Sequence, residues 1–224
     1  ITESDKRITA YHEAGHAIVA LSLPGCDPVH EVSIVPRGMA AGYTMSLPKE
    51  DQTHVTKNKL LDNIAMALGG RVAEQLKFHD VSTGAYSDLQ RSSDIAKKMV
   101  TEYGMSESIG PMFLGGQEEV FIAKDWGHQR NYSESLAAKV DTEIRNILET
   151  QYERARAIIS EQMEALDRVS EMLIEFERVT GEEFAAVFYG QNAAEVLKKS
   201  GPKRKRTKPE VKTDETIPAD AQGV

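Results

Sequence analysis

Apolar residues recur at helical spacing along much of the chain, and this pattern predicts its main elements. The first stretch runs from about residue 5 to about residue 22 and stops at Pro24-Gly25, a pair that ends helices. A second helix is predicted after Thr56, whose hydroxyl suits a helix N-cap. Its apolar residues stand four positions apart, at Leu60, Ile64, Leu68, Val72 and Leu76.

Three further helical stretches follow. The first of them covers about residues 88–104. A long apolar repeat then runs over residues 133–176, with a break expected near Ala165. A last short helix, expected after a Thr180 cap, ends near Tyr189-Gly190. Most of the chain is thus predicted to be helical.

Between the first two helices the pattern changes to a short-range alternation. Residues 29–36 alternate apolar and polar side chains and are rich in β-branched types, which predicts a strand. A glycine-bounded turn follows, and residues 43–47 predict a returning strand before Pro48. Residues 104–132 hold five glycines and no clear period, so they are expected to be irregular and mobile. The predicted fold class is mainly α with a small β-hairpin or sheet.

Composition and charge divide the chain into a globular part and a tail. With 224 residues, 40% of them hydrophobic, the chain can bury one sizeable core. Residues 191–224 hold eight Lys/Arg and five Asp/Glu with little to bury, which predicts a disordered, charged tail. Residues 1–190 are left with 19 Lys/Arg and 30 Asp/Glu, a net charge of −11. That acidic balance argues against nucleic-acid binding by the globular part.

Three features bear on where the protein works. No apolar run approaches the roughly 18 to 20 residues that a membrane helix needs, so this chain by itself is expected to be soluble. The chain starts at Ile1 without a signal pattern, and we expect it to be part of a longer protein. The single cysteine, Cys26, excludes an internal disulfide and fits a reducing compartment.

The segment His12-Glu13-Ala14-Gly15-His16 carries the predicted chemistry. Two histidines four positions apart lie on one helical face, so both imidazoles can reach one metal ion. A catalytic zinc site takes such nitrogen ligands and keeps a position open for water. Glu13 stands beside the first histidine and can take a proton from that water. The pattern predicts a zinc-dependent hydrolase rather than a chance match on a polar helix.

Glycines inside the predicted helices indicate close packing. Gly15 in the first helix and Gly69-Gly70 in the second each cost about 1 kcal/mol relative to alanine. This cost suggests that another backbone passes close to the helix face that carries His12 and His16. The alternative is that Gly15 is tolerated without such a contact.

A catalytic zinc of this type needs a third ligand, and the residues alone leave it open. Asp88 stands at a predicted helix start after the loop 82–85. Glu74 lies on the apolar second helix, and His79 lies between the two. Spacing gives no reason to prefer one of these three candidates.

The hairpin next to the metal-binding helix suggests how a substrate is held. Proteases commonly bind substrate in an extended form, and an exposed sheet edge lets a peptide add as a further strand. Gly42, Tyr43 and Thr44 are the predicted substrate-binding residues of that edge. The alternative is that the hairpin only covers the core.

Four segments carry a family resemblance, in this order along the chain: residues 9–17, 68–74, 82–89 and 99–106. Together they resemble the peptidase domain of the FtsH family, the membrane-anchored AAA zinc proteases. The resemblance covers about residues 1–190 and implies a helical, HExxH zincin-type peptidase domain with one Zn²⁺ per chain. It also implies that Asp88 is the third metal ligand and that Glu74 is structural or supports a ligand.

The resemblance further implies partners and a location. Family members carry transmembrane segments and an AAA ATPase module, but this sequence has no Gly-x-x-x-x-Gly-Lys-Ser/Thr phosphate loop, so ATP would act only through a module outside this chain. They form homo-hexameric rings, with the helices after Ser133 as the expected contact surface, and degrade unfolded, misassembled or regulatory proteins. The full-length protein is expected to be anchored in a bacterial inner membrane or its organelle equivalent, with this domain on the cytoplasmic or matrix side.

Two other functions fit parts of the sequence. A structural zinc together with the long helices could hold a ring together without catalysis, which a closed fourth ligand position would indicate. The basic cluster Lys203-Arg204-Lys205-Arg206 could bind nucleic acid or anionic lipid, although solvated charge is the commoner meaning. We expect catalysis on protein or peptide substrates, with no nucleic acid as partner.

Overall fold

The computed structural model describes residues 2–115 and 132–199. The helices in this part of the chain are α1 (Glu3–Ser22), α2 (Lys57–Phe78), α3 (Tyr86–Thr101), α4 (Glu134–Ser160), α5 (Met163–Phe176), α6 (Gly181–Phe188) and α7 (Ala193–Lys199). The strands are β1 (Val29–Ser33), β2 (Tyr43–Ser46) and β3 (Arg178–Thr180). They form one antiparallel sheet in the order β2-β1-β3. The predicted fold class, mainly α with a small β element, is confirmed.

Helix α1 begins before residue 5 because Thr2 caps it. The Thr2 hydroxyl accepts a hydrogen bond from the Asp5 amide at 3.0 Å, and the Asp5 carboxylate accepts one from the Thr2 amide at 3.3 Å. Every residue from Ala10 to Ala20 is buried, so α1 is enclosed by other elements. None of the described helices is long and apolar enough to cross a membrane.

Helices α1 and α2 cross at a contact between glycines, so the backbone that passes close to Gly15 is that of α2. A Cβ placed on Gly15 would lie 2.4 Å from the carbonyl oxygen of Gly69, and one placed on Gly69 would lie 2.8 Å from the carbonyl oxygen of Gly15. A side chain at either position would push the two backbones apart. The crossing brings α2 directly against the face of α1 that carries the histidines.

The main apolar core surrounds α1. Ile18 on α1 and Val32 on β1 are fully buried, and Leu173 on α5 and Phe184 on α6 belong to the same cluster. This core packs the sheet and the helices α5 and α6 together with α1. A smaller cluster around Ile64 joins α2 to α3 and α4.

The long apolar repeat and the sheet differ in detail from the sequence prediction. The long apolar repeat breaks at Glu161 and Gln162 rather than near Ala165, which is buried inside α5. Strand β1 ends at Ser33 and so is shorter than predicted. Strand β3 was not predicted, because a segment of three residues is too short to show a period.

The first residues of the predicted disordered tail are helical. Residues Ala193–Lys199 form α7, and Leu197 is buried against the main core, so the prediction was wrong for this segment. One buried leucine in a short charged segment gives little periodic signal. The rest of the tail, with the basic cluster 203–206, lies outside the described residues. Residues 104–115 form no helix or strand, as predicted, and residues 116–131 also lie outside the described part.

Candidate metal centre

Three donor atoms from two helices meet beside α1. His12 and His16 lie one turn apart, both buried, with their Nε2 atoms 3.0 Å apart. The Oδ2 atom of Asp88 lies 3.1 Å from Nε2 of His12 and 3.3 Å from Nε2 of His16. The fold thus brings together the two histidines of the sequence pattern and the aspartate that the resemblance implied. Neither Glu74 nor His79 belongs to this group of donors, and His79 is an exposed residue that ends α2.

Asp88 reaches the histidines because a tight turn precedes α3. The Ser82 hydroxyl accepts a hydrogen bond from the Gly84 amide at 3.1 Å, which starts the 3₁₀ turn Thr83–Ala85. Helix α3 follows directly and places Asp88 in its first turn. A carboxylate is favoured there by the partial positive charge of the helix N-terminus.

The spacing of the three donors fits one metal ion. Zinc binds histidine nitrogens and carboxylate oxygens at about 2.0–2.2 Å, which places tetrahedral ligands about 3.3–3.5 Å from one another. The three observed separations, 3.0, 3.1 and 3.3 Å, are only slightly shorter. A single cation among these atoms therefore satisfies all three donors.

The second nitrogen of each histidine ring fixes its tautomer. The Nδ1 atom of His16 lies 2.8 Å from the carbonyl oxygen of Met66, which can only accept, so Nδ1 carries the proton. The Nδ1 atom of His12 donates to the Glu74 carboxylate at 2.7 Å. Both Nε2 atoms therefore face the same point, which requires a positive charge: either a metal ion or, in its place, a proton on His12.

The protonation behaviour of the site agrees with that requirement. Burial lowers the pKa of His12, but hydrogen bonds to Asp88 and Glu74 and the charge of Glu13 raise it more, to about 10. Burial raises the pKa of the Asp88 carboxyl, but hydrogen bonds to His12 and His16 hold it well below its usual range. The surrounding carboxylates thus stabilise a positive charge between the imidazoles.

Glu74 binds the side of the His12 ring that faces away from the three donor atoms. It is 2% exposed and accepts hydrogen bonds from the Ser82 amide at 2.6 Å and from the Ser82 hydroxyl at 3.1 Å, in addition to the one from His12. Neither the role of Ser82 nor that of the Met66 carbonyl was predicted from the sequence. The sequence held one indication of these contacts: Glu74 is an acidic residue within an apolar helix, and a buried carboxylate needs hydrogen-bond donors.

The ring of His12 has room because α2 carries a glycine beneath it. A Cβ on Gly70 would lie 2.6 Å from both Cε1 and Nε2 of His12. Gly70 therefore lets the imidazole lie flat against α2 and reach Asp88 and Glu74 at its two nitrogens. This explains the second glycine of the Gly69-Gly70 pair.

Glu13 faces the small sheet. Its side chain is buried, and its Oε2 atom accepts a hydrogen bond from the Thr44 hydroxyl at 2.8 Å. Tyr43, the neighbour of Thr44 on β2, turns to the opposite face of the sheet and donates its hydroxyl to the Glu31 carboxylate. Gly42 is buried and precedes β2 rather than belonging to it.

Strand β2 lies at one edge of the sheet. It pairs with β1 on its inner side, and no described strand pairs with its outer side. Unpaired backbone groups at the edge of a sheet are the kind of surface to which an extended chain can add. The structure thus places Gly42 and Thr44 of the predicted edge residues next to Glu13, whereas the side chain of Tyr43 lies on the opposite face of the sheet.

Comparison with known proteins gives the family. Residues 1–187 match the model of Peptidase family M41. The chain is 53% identical over 193 residues to "ATP-dependent zinc metalloprotease FtsH 1" from Thermoanaerobacter sp. (strain X514), which covers 86% of this chain and 32% of that protein. It is 52% identical over 189 residues to "ATP-dependent zinc metalloprotease FtsH" from Caldicellulosiruptor bescii, which covers 84% of this chain and 31% of that protein.

A third relative aligns with more of the chain. "ATP-dependent zinc metalloprotease FtsH 3" from Symbiobacterium thermophilum is 46% identical over 210 residues, which covers 93% of this chain and 33% of that protein. The chain therefore spans about a third of the length of the curated relatives it matches. Since the family model extends over the whole region that carries the donor group and its supporting helices, the chain belongs to peptidase family M41.

Proposed function

We propose that this chain hydrolyses peptide bonds with a zinc ion held by His12, His16 and Asp88. The observation that carries the proposal is the convergence of these three donors, 3.0 to 3.3 Å apart. The buried residue Glu13 follows the donor His12 directly in the sequence. The names of the relatives identify those proteins as zinc metalloproteases, which selects zinc among the metals that such a donor set accepts.

The number of donors favours a catalytic site over a structural one. Structural zinc sites are closed by four protein ligands, whereas catalytic sites use three and keep a position for water or substrate. Among the described residues, the group comprises three donors. A zinc bound there supplies Lewis acidity, which acidifies water and polarises the substrate carbonyl.

The residues around the donors have distinct tasks in this proposal. Glu13 acts as general base: its carboxylate takes a proton from the attacking water and delivers it to the leaving amine nitrogen. Glu74 and the Met66 carbonyl hold the two imidazole rings in the orientation that presents Nε2. Asp88 contributes the negative charge that balances the cation.

The edge of β2 is the proposed substrate support. An extended peptide would add to the outer side of the strand near Gly42, Tyr43 and Thr44, where backbone hydrogen bonds bind it with little dependence on its sequence. The contact between Thr44 and Glu13 supports this placement, because it brings the edge to the catalytic carboxylate. Unfolded polypeptides are the substrate class that such an edge accepts.

We further propose that the chain is the peptidase part of a larger ATP-dependent protease. Its relatives are about three times longer and are named ATP-dependent, which supports an AAA module and membrane segments elsewhere in the full-length protein. That protein would act as a membrane-anchored homo-hexamer with this domain on the cytoplasmic or matrix side, where the ATPase feeds it unfolded, misassembled or regulatory proteins.

The decisive test compares zinc content and peptide cleavage in the wild type and in Glu13→Gln. The variant keeps all three donors, so it should bind one zinc per chain. Its cleavage rate should be at least about 100-fold lower than that of the wild type. Cleavage of a short fluorogenic peptide avoids any need for unfolding. Wild-type rates in the zinc-loaded Glu13→Gln protein would refute the assignment of the base.

A further inference from the structure

Thr44 lies where the edge strand meets the Glu13 carboxylate. Its Oγ1 atom is 2.8 Å from Oε2 of Glu13 and 3.1 Å from the Glu13 carbonyl oxygen. The carboxylate is the nearer acceptor and carries charge, so it takes the single hydroxyl proton. Within the described part of the chain, Thr44 is the only residue that donates a hydrogen bond to this carboxylate.

The approach of β2 to Glu13 depends on the residue before the strand. A Cβ on Gly42 would lie 2.7 Å from the carbonyl oxygen of Ser33, 2.8 Å from Cγ2 of Thr9 and 3.0 Å from Cγ of Glu13. No other residue fits there without moving the strand away from α1. The sequence thus lacks a side chain at the point where β2 passes the catalytic carboxylate.

The register of the sheet turns Thr44 inwards. Thr44 pairs with Val32 of β1, which is fully buried, so both side chains lie on the face of the sheet that packs on α1. The free edge of β2 remains a row of backbone groups. The side chain of Thr44 and the substrate-binding edge therefore belong to one strand but point in different directions.

We propose that Thr44 is a positioning residue for Glu13 in the peptide hydrolysis proposed above. Its hydroxyl restrains Oε2, so that Oε1, which accepts no hydrogen bond from any described residue, faces the water and the leaving amine. Because Thr44 belongs to the strand that supports the substrate, the base and the scissile bond are held by the same element. Such positioning acts on kcat rather than on KM.

Three variants separate this role from a structural one. Thr44→Val keeps the shape of the side chain and removes the hydroxyl, whereas Thr44→Ser keeps the hydroxyl. Ser46 lies two residues further on the same face of β2, and its buried hydroxyl has no partner among the described residues. Ser46→Ala is therefore a matched loss of a hydroxyl that contacts no catalytic group.

The measurements are kcat and KM for a short fluorogenic peptide, zinc content and thermal midpoint, all in zinc-loaded protein. Thr44→Val should lower kcat by about 10- to 100-fold with KM within about twofold of wild type. Thr44→Ser and Ser46→Ala should keep kcat within about threefold. Zinc content should be the same in all four proteins.

Unchanged kcat in Thr44→Val would overturn the proposal, as would a change confined to KM or a loss of kcat that Thr44→Ser also shows. If Thr44→Val loses zinc or unfolds, Thr44→Ala takes its place. Its kcat and KM are then compared with those of Thr44→Ser, and the same outcomes decide. The result for Glu13→Gln distinguishes the two proposals. Cleavage by Glu13→Gln would remove the proposed function itself, whereas an inactive Glu13→Gln beside an active Thr44→Val would remove only the role of Thr44.

Discussion

The Nδ1 atom of His12 lies 2.7 Å from Oε1 of Glu74, a carboxylate that is almost completely buried. The same carboxylate accepts two hydrogen bonds from Ser82, at the start of the turn that leads to Asp88. One side chain on α2 therefore sets both the ring orientation of His12 and the position of the loop that presents Asp88. A buried charge is tolerated here because three donors compensate its desolvation.

The first prediction concerns the relative effect of Asp88 and Glu74 on zinc. Glu74→Gln leaves all three proposed ligands and should weaken zinc binding by about 10- to 100-fold, the range for a residue that orients a ligand. Asp88→Asn removes a charged ligand and should weaken binding further. Measuring zinc occupancy in the presence of chelators of increasing affinity ranks the zinc affinities of the wild type and the two variants. A lower occupancy in Glu74→Gln than in Asp88→Asn would transfer the ligand role to Glu74.

The second prediction concerns the crossing of α1 and α2. Gly15→Ala gains about 1 kcal/mol of helix propensity. The new Cβ would lie 2.4 Å from a backbone oxygen of Gly69, a clash that no side-chain rotation relieves. The clash outweighs the gain, and we expect a net loss of about 1–3 kcal/mol in the free energy of unfolding, measured in urea.

The control for this variant is Ser135→Ala on the exposed face of α4, which should change stability by less than about 0.5 kcal/mol. Gly15→Ala should also weaken zinc binding, because separating the helices moves His16 from the Met66 carbonyl that orients its ring. Unchanged stability together with unchanged zinc affinity would show that the crossing can widen without consequence.

The parts of the site that depend on local geometry were predictable from the sequence. The spacing of His12 and His16 and the adjacency of Glu13 are properties of a single helix, so the pattern alone placed these three side chains together. Gly15 and Gly69 predicted a close backbone contact for an equally local reason, since glycine disfavours helices. In the structure the imidazoles of His12 and His16 meet at one point, and Gly15 lies against Gly69.

Contacts between distant segments were not predictable in the same way. Spacing left Asp88, Glu74 and His79 as equal candidates, and only the family resemblance separated them. The contact of Thr44 with Glu13 depends on the register of β2 and on Gly42, neither of which has a periodic signal. The helix α7 was missed because its one buried leucine, Leu197, stands in a charged segment.

The third prediction concerns Asp167 on α5, which accepts hydrogen bonds from the Tyr11 hydroxyl and from Nζ of Lys77, both at 2.7 Å. Burial raises the pKa of the Asp167 carboxyl, but the bonds from Lys77 and Tyr11 lower it more, so it lies below its ordinary value. A carboxyl with a lowered folded-state pKa stabilises the fold above its unfolded pKa, about 3.9, and loses that contribution as the pH falls through the folded-state value.

Asp167→Asn should therefore be less stable than the wild type at neutral pH, and the difference should shrink below about pH 4. The effect is small because almost half of the Asp167 side chain is exposed. Urea unfolding at several pH values measures it, with Glu164→Gln on the exposed part of the same helix as control. A difference that stays constant over the whole pH range would exclude the ionic contribution.

The fourth prediction concerns Cys26, whose thiol lies beside the start of α2 and contacts the carbonyl oxygen of Asp62 at 3.4 Å. Burial raises the pKa of this thiol, and the negative charges of Asp62 and Asp27 add to the effect, to about 12.

At pH 8 a thiol with the ordinary pKa of about 8.5 is roughly one quarter thiolate, whereas one with a pKa of about 12 is thiolate in about one molecule in 10⁴. Only the thiolate reacts with iodoacetamide. The greater nucleophilicity of a less acidic thiolate offsets part of this difference. The native protein should therefore be alkylated about 100-fold more slowly than the urea-unfolded chain, with a rate that rises about tenfold per pH unit. Mass spectrometry of timed samples measures both rates, and a native rate within about tenfold of the unfolded one would show that the thiol is ionised as in water.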